Sequence, residues 1–284
     1  MATSRTTAMR DIYVDANGLR HHLTARGNPG SPIVMMIHGL TQQAHIFDGV
    51  AALLSRRFHV YCLDVRGRGE SEWGPPGGYH LNNYVEDLEA VRSALGIEAF
   101  ALAGTSMGGN IAMYYAALHP DRVTAVVLND IGPEIETAGR ERIMAMLTSA
   151  PKAFTDLRAV VKYYREANGP VLARRSDDEV AEYARWHVRK DLNIYAWKMD
   201  QAVRHLQTPP DPPMPAWDAF SAIRCPVLVV RGSISDVLGP ATAAKMATAR
   251  PGTTIVEVPG VGHAPSLTEP EAYAALEAFL SAPR

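Results

Sequence analysis

The chain has 284 residues, and its 28 Lys and Arg nearly balance its 30 Asp and Glu, which leaves a formal net charge of −2. This balance argues against nucleic-acid binding, which needs a basic surface, and no run reaches the roughly 18 apolar residues of a membrane span. The two cysteines, Cys62 and Cys225, lie in apolar runs and are too few for a disulfide framework or a four-cysteine metal site. The first residues, MATSRTTAMRD, lack the apolar core of a signal peptide, so a cytoplasmic protein is expected.

Alternating strand and helix patterns follow along most of the chain. A hairpin is predicted first, because Ile12–Val14 and Leu19–Leu23 flank an Asn17-Gly18 pair that favours a tight turn. Short apolar runs then predict strands that are buried on both faces of a parallel sheet. These runs are Ile33–Ile37, Phe58–Leu63, Phe100–Ala103, Val123–Leu128, Val227–Val230 and Thr254–Val258.

Helical patterns separate several of these runs, at Asn83–Leu95, Gly109–Leu118 and Glu271–Leu280. Strands that alternate with helices are typical of an α/β fold with a doubly wound, mostly parallel sheet. We therefore predict that architecture for the body of the protein.

The alternation stops between residues 133 and 221, a stretch called the cap segment below, which we interpret as helical throughout. Ser176 and Glu179 form a capping-box pattern at the start of one predicted helix, and a stiff proline-rich connector, 208–215, ends the segment. The segment contains 9 of the 21 aromatic residues in 89 of the 284 positions, an enrichment that favours packing against a body. We predict a core of residues 1–132 and 222–284, with a helical cap inserted at 133–221.

The strongest chemical motif is Gly104-Thr105-Ser106-Met107-Gly108, which lies between a predicted strand and a predicted helix. A G-x-S-x-G sequence in that context is typical of a nucleophilic serine on a sharp strand-to-helix turn. The helix amino terminus places free N–H groups near the negative charge that develops on a substrate carbonyl oxygen. The spacing differs from the G-x-G-x-x-G of a dinucleotide-binding turn, so that alternative is disfavoured.

A second motif, His38-Gly39-Leu40-Thr41, ends the strand Ile33–Ile37. A glycine turn there can direct the backbone N–H of Leu40 towards a substrate carbonyl, with the N–H of Met107 as the second donor of an oxyanion hole. Thr41 is expected to border the same site. His38 is interpreted as a residue that braces the loop.

A third motif, Gly262-His263, follows the last predicted strand on a glycine-flanked loop. A histidine beyond the carboxyl end of a strand can reach the serine and act as general base. His263 is therefore the predicted base, and His45 and His80 are the two other histidines whose loops could border the pocket.

Taken together, these motifs resemble those of the α/β-hydrolase superfamily, in particular carboxylesterase-like serine hydrolases with a helical cap. The matching pieces are His38-Gly39, Asp64–Ser71 with a D-x-R-G-x-G-x-S pattern, Gly104–Gly108 and Gly262-His263, which run in family order along nearly the whole chain. The resemblance implies a Ser–acid–His triad in that chain order, no cofactor and no metal, and a cap that shapes a pocket for a small-molecule substrate.

Two aspartates compete for the role of the triad acid, which must orient His263 and stabilise its imidazolium. Asp236 follows the strand Val227–Val230 in the usual family position, although its Gly232-x-x-x-Asp pattern is one residue longer than the commoner G-x-x-D. Asp130 ends the strand Val123–Leu128, where some family members place their acid. Family frequency favours Asp236, and Asp130 remains an alternative.

The leading hypothesis is hydrolysis of a carboxylic ester, or of a related amide or lactone, through an acyl-enzyme. The alternatives are a C–C bond hydrolase acting on a β-diketone or dienoate, and a ligand receptor on a hydrolase scaffold. The cap segment holds 13 basic and 13 acidic residues, which favours a largely neutral substrate. Of its arginines, Arg140, Arg142 and Arg165 could pair with a substrate carboxylate, but we interpret them as solvated. The cap residues expected to line the pocket are Met144, Met146, Phe154, Tyr164, Trp186 and Trp197.

Overall fold

A computed structural model describes residues 8–167, 176–204 and 211–283 of the chain. Residues 1–7 and the first part of the proline-rich connector, 208–210, lie outside these ranges. The strands are β1 Arg10–Ala16, β2 Leu19–Arg26, β3 Ile33–Ile37, β4 His59–Leu63, β5 Phe100–Thr105, β6 Val123–Asn129, β7 Ala153–Phe154, β8 Val188–Asp191, β9 Ile194–Trp197, β10 Val227–Gly232 and β11 Thr254–Val258. The α-helices are α1 Asp48–Leu54, α2 Leu81–Ala94, α3 Met107–Leu118, α4 Thr137–Ser149, α5 Leu157–Ala167, α6 Asp177–His187, α7 Ala216–Ala222, α8 Pro240–Ala249 and α9 Pro270–Ser281.

The main sheet has eight strands in the order β1-β2-β4-β3-β5-β6-β10-β11. The predicted hairpin is present, since β1 and β2 pair antiparallel around Asn17 and Gly18, which both have positive φ angles. In this sheet, the six strands β4, β3, β5, β6, β10 and β11 are parallel to one another. The α/β architecture and the predicted strands are therefore confirmed, except that β11 lies at the edge of the sheet with Thr254 and Glu257 exposed and is not buried on both faces.

Consecutive residues of the central strands point to opposite faces of the sheet, and both faces are covered. Met35 packs in the cluster that includes Leu88 of α2 and Ile111 of α3, whereas Met36 packs in the cluster that includes Leu54 of α1 and Leu276 of α9. Because helices cover both faces of the sheet, the central strands are continuous apolar runs and do not alternate between apolar and polar residues.

The parallel arrangement also determines where functional side chains meet. Because the carboxyl ends of parallel strands lie along one edge of a sheet, the residues that follow β3, β5, β6 and β10 are neighbours there. These positions hold His38-Gly39, Ser106, Asp130 and Ser233.

The cap segment is not helical throughout, and that prediction is corrected. Its strands β7, β9 and β8 form a separate antiparallel sheet, in which β8 and β9 are a hairpin. The turn of this hairpin has Leu192 at φ +49°. Strand β9 contains the aromatic residues Tyr195 and Trp197, which favour a strand over a helix. The predicted capping box is present, because the Ser176 side chain accepts from the Glu179 N–H and the Glu179 carboxylate accepts from the Ser176 N–H.

The cap segment has an apolar cluster of its own. Aromatic rings dominate it, with Phe154, Tyr164 and Trp197 in contact with aliphatic residues of α5 and α6. By contrast, Phe220 of α7 packs in the main core. The division into core and cap at residues 133 and 221 stays a prediction. No helix within the described ranges is long and apolar enough to cross a membrane.

Candidate active site

Ser106 lies at the turn between β5 and α3, in a backbone conformation that non-glycine residues rarely adopt. Its φ and ψ angles are 54° and −118°. The Ser106 N–H donates to the carbonyl of Asn129 at 3.0 Å, and the Ser106 carbonyl accepts from the N–H of Gly109 at 2.8 Å. These bonds hold the strained turn in place, as expected for a serine that must project from the edge of the sheet.

The glycines of the motif allow the backbone to approach closely around Ser106. A Cβ on Gly104 would overlap the carbonyl oxygen of Gly108, and a Cβ on Gly108 would overlap that of Ile37. The first turn of α3 therefore presses against the end of β3. This contact brings the Gly39–Thr41 loop beside the serine, so the G-x-S-x-G spacing reflects packing as well as chemistry.

His263 bridges the serine and a buried carboxylate. Its Nε2 lies 2.9 Å from Oγ of Ser106, and its Nδ1 lies 2.7 Å from Oδ2 of Asp130. Because an ionised carboxylate only accepts hydrogen bonds, Nδ1–H is the donor, which leaves Nε2 free to accept the serine proton. The arrangement is that of a nucleophile, a general base and an orienting acid.

Asp130 is fully buried, and each of its carboxylate oxygens is occupied. Oδ1 accepts from the backbone N–H of Gly232 at 2.9 Å, and Oδ2 accepts from the hydroxyl of Ser235 at 2.6 Å in addition to His263. Donors on both oxygens stabilise a carboxylate that water cannot reach.

The preference for Asp236 as the residue beside the histidine is wrong. The Asp236 carboxylate pairs instead with Arg142, whose Nε and Nη2 donate at 2.5 and 2.8 Å, and this pairing lowers the pKa of Asp236. The cause is the extra residue after Gly232. In the shorter G-x-x-D pattern the carboxylate would stand at position 235, where this chain has the serine that donates to Asp130.

The two predicted oxyanion donors lie next to Ser106. Leu40 lines the cavity that contains Ser106, and Met107 is the first residue of α3. Neither backbone N–H has a hydrogen-bond partner within residues 8–167, 176–204 and 211–283. Both N–H groups are therefore available to a substrate oxygen. Thr41 lines the same cavity, as predicted.

Arg68 is a site residue that sequence reasoning missed. Its fully buried guanidinium donates to the Leu40 carbonyl at 3.2 Å and contacts Met107 Sδ at 3.6 Å, so one side chain touches both predicted oxyanion residues. It is held by the Tyr84 hydroxyl at 3.0 Å. The D-x-R-G-x-G-x-S pattern was the available signal, but Arg68 occupies one of its unspecified positions, so the pattern gave no indication of this contact.

His38 braces the loop, as predicted. Its Nδ1–H donates to the Gly39 carbonyl at 2.7 Å, and its Nε2 accepts from the Val65 N–H at 3.0 Å. Full burial lowers its pKa to about 4, so the ring is neutral at pH 7. His187 in the cap segment is also buried, and burial lowers its pKa to about 4, so its ring is neutral at pH 7 as well.

We expect these two histidines to make the protein less stable in mild acid. Each ring is neutral in the folded protein above about pH 4 and becomes protonated near pH 6.5 in the unfolded chain. The free energy of unfolding should therefore fall by about 1.4 kcal/mol per pH unit for each histidine as the pH drops from 6.5 towards 4. Urea unfolding of wild type and His187→Phe at several pH values tests this. The variant should lose one histidine's share of the slope, and an unchanged slope contradicts the assignment.

A cavity of about 790 Å³, including its opening to solvent, lies over Ser106 and His263. The cap segment supplies much of its wall, with Tyr164 and Trp197 among the lining residues, as predicted. Met146 lines it as well, as predicted, together with Ile143 and Leu147 on the same face of α4.

Three other predicted lining residues lie elsewhere, and those predictions are corrected. Met144 is 41% exposed because it stands off the face of α4 that Ile143 and Leu147 present to the cavity. Phe154 is buried inside the cap cluster, against Trp197. Trp186 lines an adjoining cavity and stacks on His45, with ring centroids 3.6 Å apart.

Of the two other histidines considered, His45 lines the adjoining cavity together with His263. His80 precedes α2 as its N-cap and lines neither of these cavities. Among the described residues, no group of three or more His, Cys, Asp or Glu side chains is placed to hold a metal ion.

Comparison with known proteins agrees with this geometry. The family model described as "alpha/beta hydrolase fold" matches residues 32–270. The chain belongs to the α/β-hydrolase family. It is a hydrolase, and a serine–histidine–aspartate triad is typical of its fold.

Among its curated relatives, the chain is 34% identical to the 3-hydroxybutyrate-oligomer hydrolase of Cupriavidus necator over 276 residues, which covers 90% of each chain. It is 32% identical to the 2-(acetamidomethylene)succinate hydrolase of Mesorhizobium japonicum, covering 88% of this chain and 87% of that one. Its structure matches the crystal structure of an alpha/beta hydrolase from Novosphingobium aromaticivorans with a TM-score of 0.87 and 35% identity, covering 96% and 98% of the two chains.

Proposed function

We propose that this protein hydrolyses carboxylic esters through an acyl-enzyme formed on Ser106. The observation that carries the proposal is the position of His263 between two partners, 2.9 Å from the Ser106 hydroxyl and 2.7 Å from the Asp130 carboxylate. A hydroxyl is a weak nucleophile by itself, and a positioned base that accepts its proton makes attack on a carbonyl carbon feasible.

In the first half of the reaction, Oγ of Ser106 attacks the ester carbonyl while Nε2 of His263 takes the hydroxyl proton. Asp130 orients the ring and stabilises the imidazolium. The tetrahedral intermediate then collapses, and Nε2–H gives its proton to the departing alkoxide. The alcohol leaves, and the acyl group stays on Ser106.

The backbone N–H groups of Leu40 and Met107 bind the carbonyl oxygen as it gains negative charge. Loss of one such donor typically costs about 3–4 kcal/mol of transition-state stabilisation. Arg68 positions the donors through its contacts with the Leu40 carbonyl and Met107 Sδ. In the second half of the reaction, water attacks the acyl-enzyme with His263 again as base, which releases the carboxylic acid and regenerates the serine.

Two further observations support an ester substrate. The cavity over Ser106 is lined mostly by apolar and aromatic side chains, as is usual for a small-molecule pocket. In addition, a relative that shares 34% of its residues over 90% of its length is named as a hydrolase of 3-hydroxybutyrate oligomers. We propose accordingly that the cap segment, residues 133–221, forms the part of the pocket that selects the substrate.

A serine-directed fluorophosphonate, followed by intact mass, tests the nucleophile. We expect one label on wild type and none on Ser106→Ala. A panel of short p-nitrophenyl esters, assayed beside a vinylogous diketone, tests the bond that is cleaved. Hydrolysis of the esters that depends on Ser106 supports the proposal. Undiminished labelling of Ser106→Ala, or cleavage of the diketone without cleavage of the esters, contradicts it.

A further inference from the structure

The walls of the two cavities that meet at His263 carry opposite charges. Within the described ranges, Arg142 and Arg204 line the cavity over Ser106, and no Asp or Glu does. The adjoining cavity is lined by Asp48, Glu179 and Glu182, with no Lys or Arg among its described lining residues. The 13 acidic residues of the cap segment equal its 13 basic residues in number, so the segment as a whole has no net charge. They nevertheless do not neutralise the positive charge that lines the cavity over Ser106.

Of the two arginines, Arg142 is already neutralised. Its Nε and Nη2 donate to the two oxygens of Asp236, at 2.5 and 2.8 Å. The unbalanced positive charge of this cavity is consequently that of Arg204.

Arg204 is a buried cation without a counterion. It is 8% exposed, and it forms no ion pair within the part of the chain that the structure describes. Its Nη1 donates to the carbonyls of Ala150 and Pro151 at 2.7 and 3.1 Å, and its guanidinium lies 4.8 Å from the ring centroid of Trp197. Its Nε and Nη2 have no hydrogen-bond partner among the described residues.

A buried charged group with unused donors is energetically unfavourable unless a partner satisfies it at some stage of the protein's function. The two nearest phenols do not supply a negative charge. Burial raises the pKa values of Tyr163 and Tyr164, so both are neutral at pH 7. A ligand with a negative charge is the partner that this environment favours.

The geometry of the unused donors specifies the kind of anion. Nε–H and one N–H of Nη2 form one edge of the planar guanidinium and point in the same direction, which matches the two oxygens of a carboxylate. This protein uses the same edge elsewhere. Arg142 binds the Asp236 carboxylate through Nε and Nη2. Arg66 binds the Asp87 carboxylate through the same two atoms, and each of its two hydrogen bonds is 2.5 Å long.

We propose that Arg204 binds a carboxylate of the substrate, so that this enzyme acts on esters that carry a free carboxylate group in addition to the ester bond. The inference rests on the proposed esterase function and names its substrate class. The two donor atoms are shielded from water in this structure. Binding of the carboxylate therefore requires that a side chain of the cavity wall moves aside. This proposal replaces the expectation of a neutral substrate. That expectation came from a count of the charged residues in the cap segment, which gives exposed and buried residues equal weight.

Two pairs of matched esters test the inference by placing the charge on either side of the scissile bond. Mono(4-nitrophenyl) adipate and 4-nitrophenyl 5-carbamoylpentanoate differ only by carboxylate against carboxamide on the acyl part. The esters 5-acetoxypentanoate and 5-acetoxypentanamide differ in the same way on the alcohol part. We expect wild type to prefer the carboxylate in at least one pair, by about 10- to 100-fold in kcat/KM, since hydrogen bonds between charged groups are the stronger ones.

Substitution of Arg204 tests whether this residue is the source of the preference. Arg204→Gln should reduce the ratio of kcat/KM values within the preferred pair to about one, mainly through a higher KM for the carboxylate ester. Arg204→Lys should keep part of the ratio, because it retains the charge and loses the planar pair of donors. A purely structural role for Arg204, which holds the Ala150 and Pro151 carbonyls, would lower both esters of a pair equally and would overturn the inference.

A binding measurement separates this inference from the proposed chemistry. Calorimetric titration of Ser106→Ala with adipamate and with adipamide should show tighter binding of adipamate, whether or not esters are hydrolysed. Equal affinities, or the absence of a carboxylate preference in wild type for both ester pairs, would overturn the carboxylate site. Failure of wild type to hydrolyse any ester, with adipamate still preferred, would instead contradict the esterase function.

Discussion

Asp130→Asn is expected to lower kcat for a p-nitrophenyl ester by about four orders of magnitude while the protein stays folded. The Nδ2 of an asparagine donates, so it would favour the imidazole tautomer with its proton on Nε2. That nitrogen then has no lone pair for the Ser106 proton, which it faces at 2.9 Å. Steady-state kinetics between pH 6 and 9, with thermal unfolding as the check on folding, measure the effect.

Asp236→Asn is the matched control, because it makes the same change at the other candidate acid. In the wild type, the Asp236 carboxylate pairs with Arg142, and both side chains are about one-third exposed. The loss of this ion pair should therefore have little effect on stability. We expect kcat for a neutral ester to stay within about threefold of wild type, since this side chain does not contact His263. A loss of several orders of magnitude in Asp236→Asn, with Asp130→Asn near wild type, would reverse the assignment.

Ser106→Gly is expected to abolish the activity and at the same time to stabilise the fold relative to Ser106→Ala. Both changes remove the nucleophile, so kcat should fall by about six orders of magnitude in each. Only glycine adopts φ 54° and ψ −118° without strain. After the greater entropy of glycine in the unfolded chain is subtracted, we expect Ser106→Gly to be more stable than Ser106→Ala by about 1 kcal/mol.

Chemical unfolding of the two variants at one pH measures this difference directly. Since alanine and glycine both lack the hydroxyl, the comparison removes the contribution of the His263 hydrogen bond. Equal stabilities would show that the turn stores no strain at Ser106. A residual esterase activity that is the same in wild type and both variants would show that another group performs the reaction.

Much of the fold could be predicted because its signals are local. Each central strand is covered on both faces, so each appears as a continuous apolar run. The six predicted runs coincide with strands of the main sheet, apart from Phe58, which precedes β4. Ser106 could also be predicted as the nucleophile from a local signal, because close packing excludes a Cβ at Gly104 and Gly108 and so leaves a sequence motif. The cap segment was harder. Its hairpin β8–β9 is short, and a helical pattern runs directly into it from α6.

The sequence by itself determined the fold class and predicted Ser106 as nucleophile and His263 as base, because each depends on a short contiguous motif in a recognisable order. Only the tertiary structure distinguished the two candidate acids, because it places Asp130 and not Asp236 beside His263. They lie at the ends of β6 and just beyond β10, neighbouring strands whose residues are far apart in the chain, and one additional residue in a turn directs one carboxylate to His263 and the other to Arg142. The charge of the pocket was decided in the same way. Whether an arginine such as Arg204 is neutralised depends on which side chains meet it in space, and a count of charges along the sequence does not contain that information.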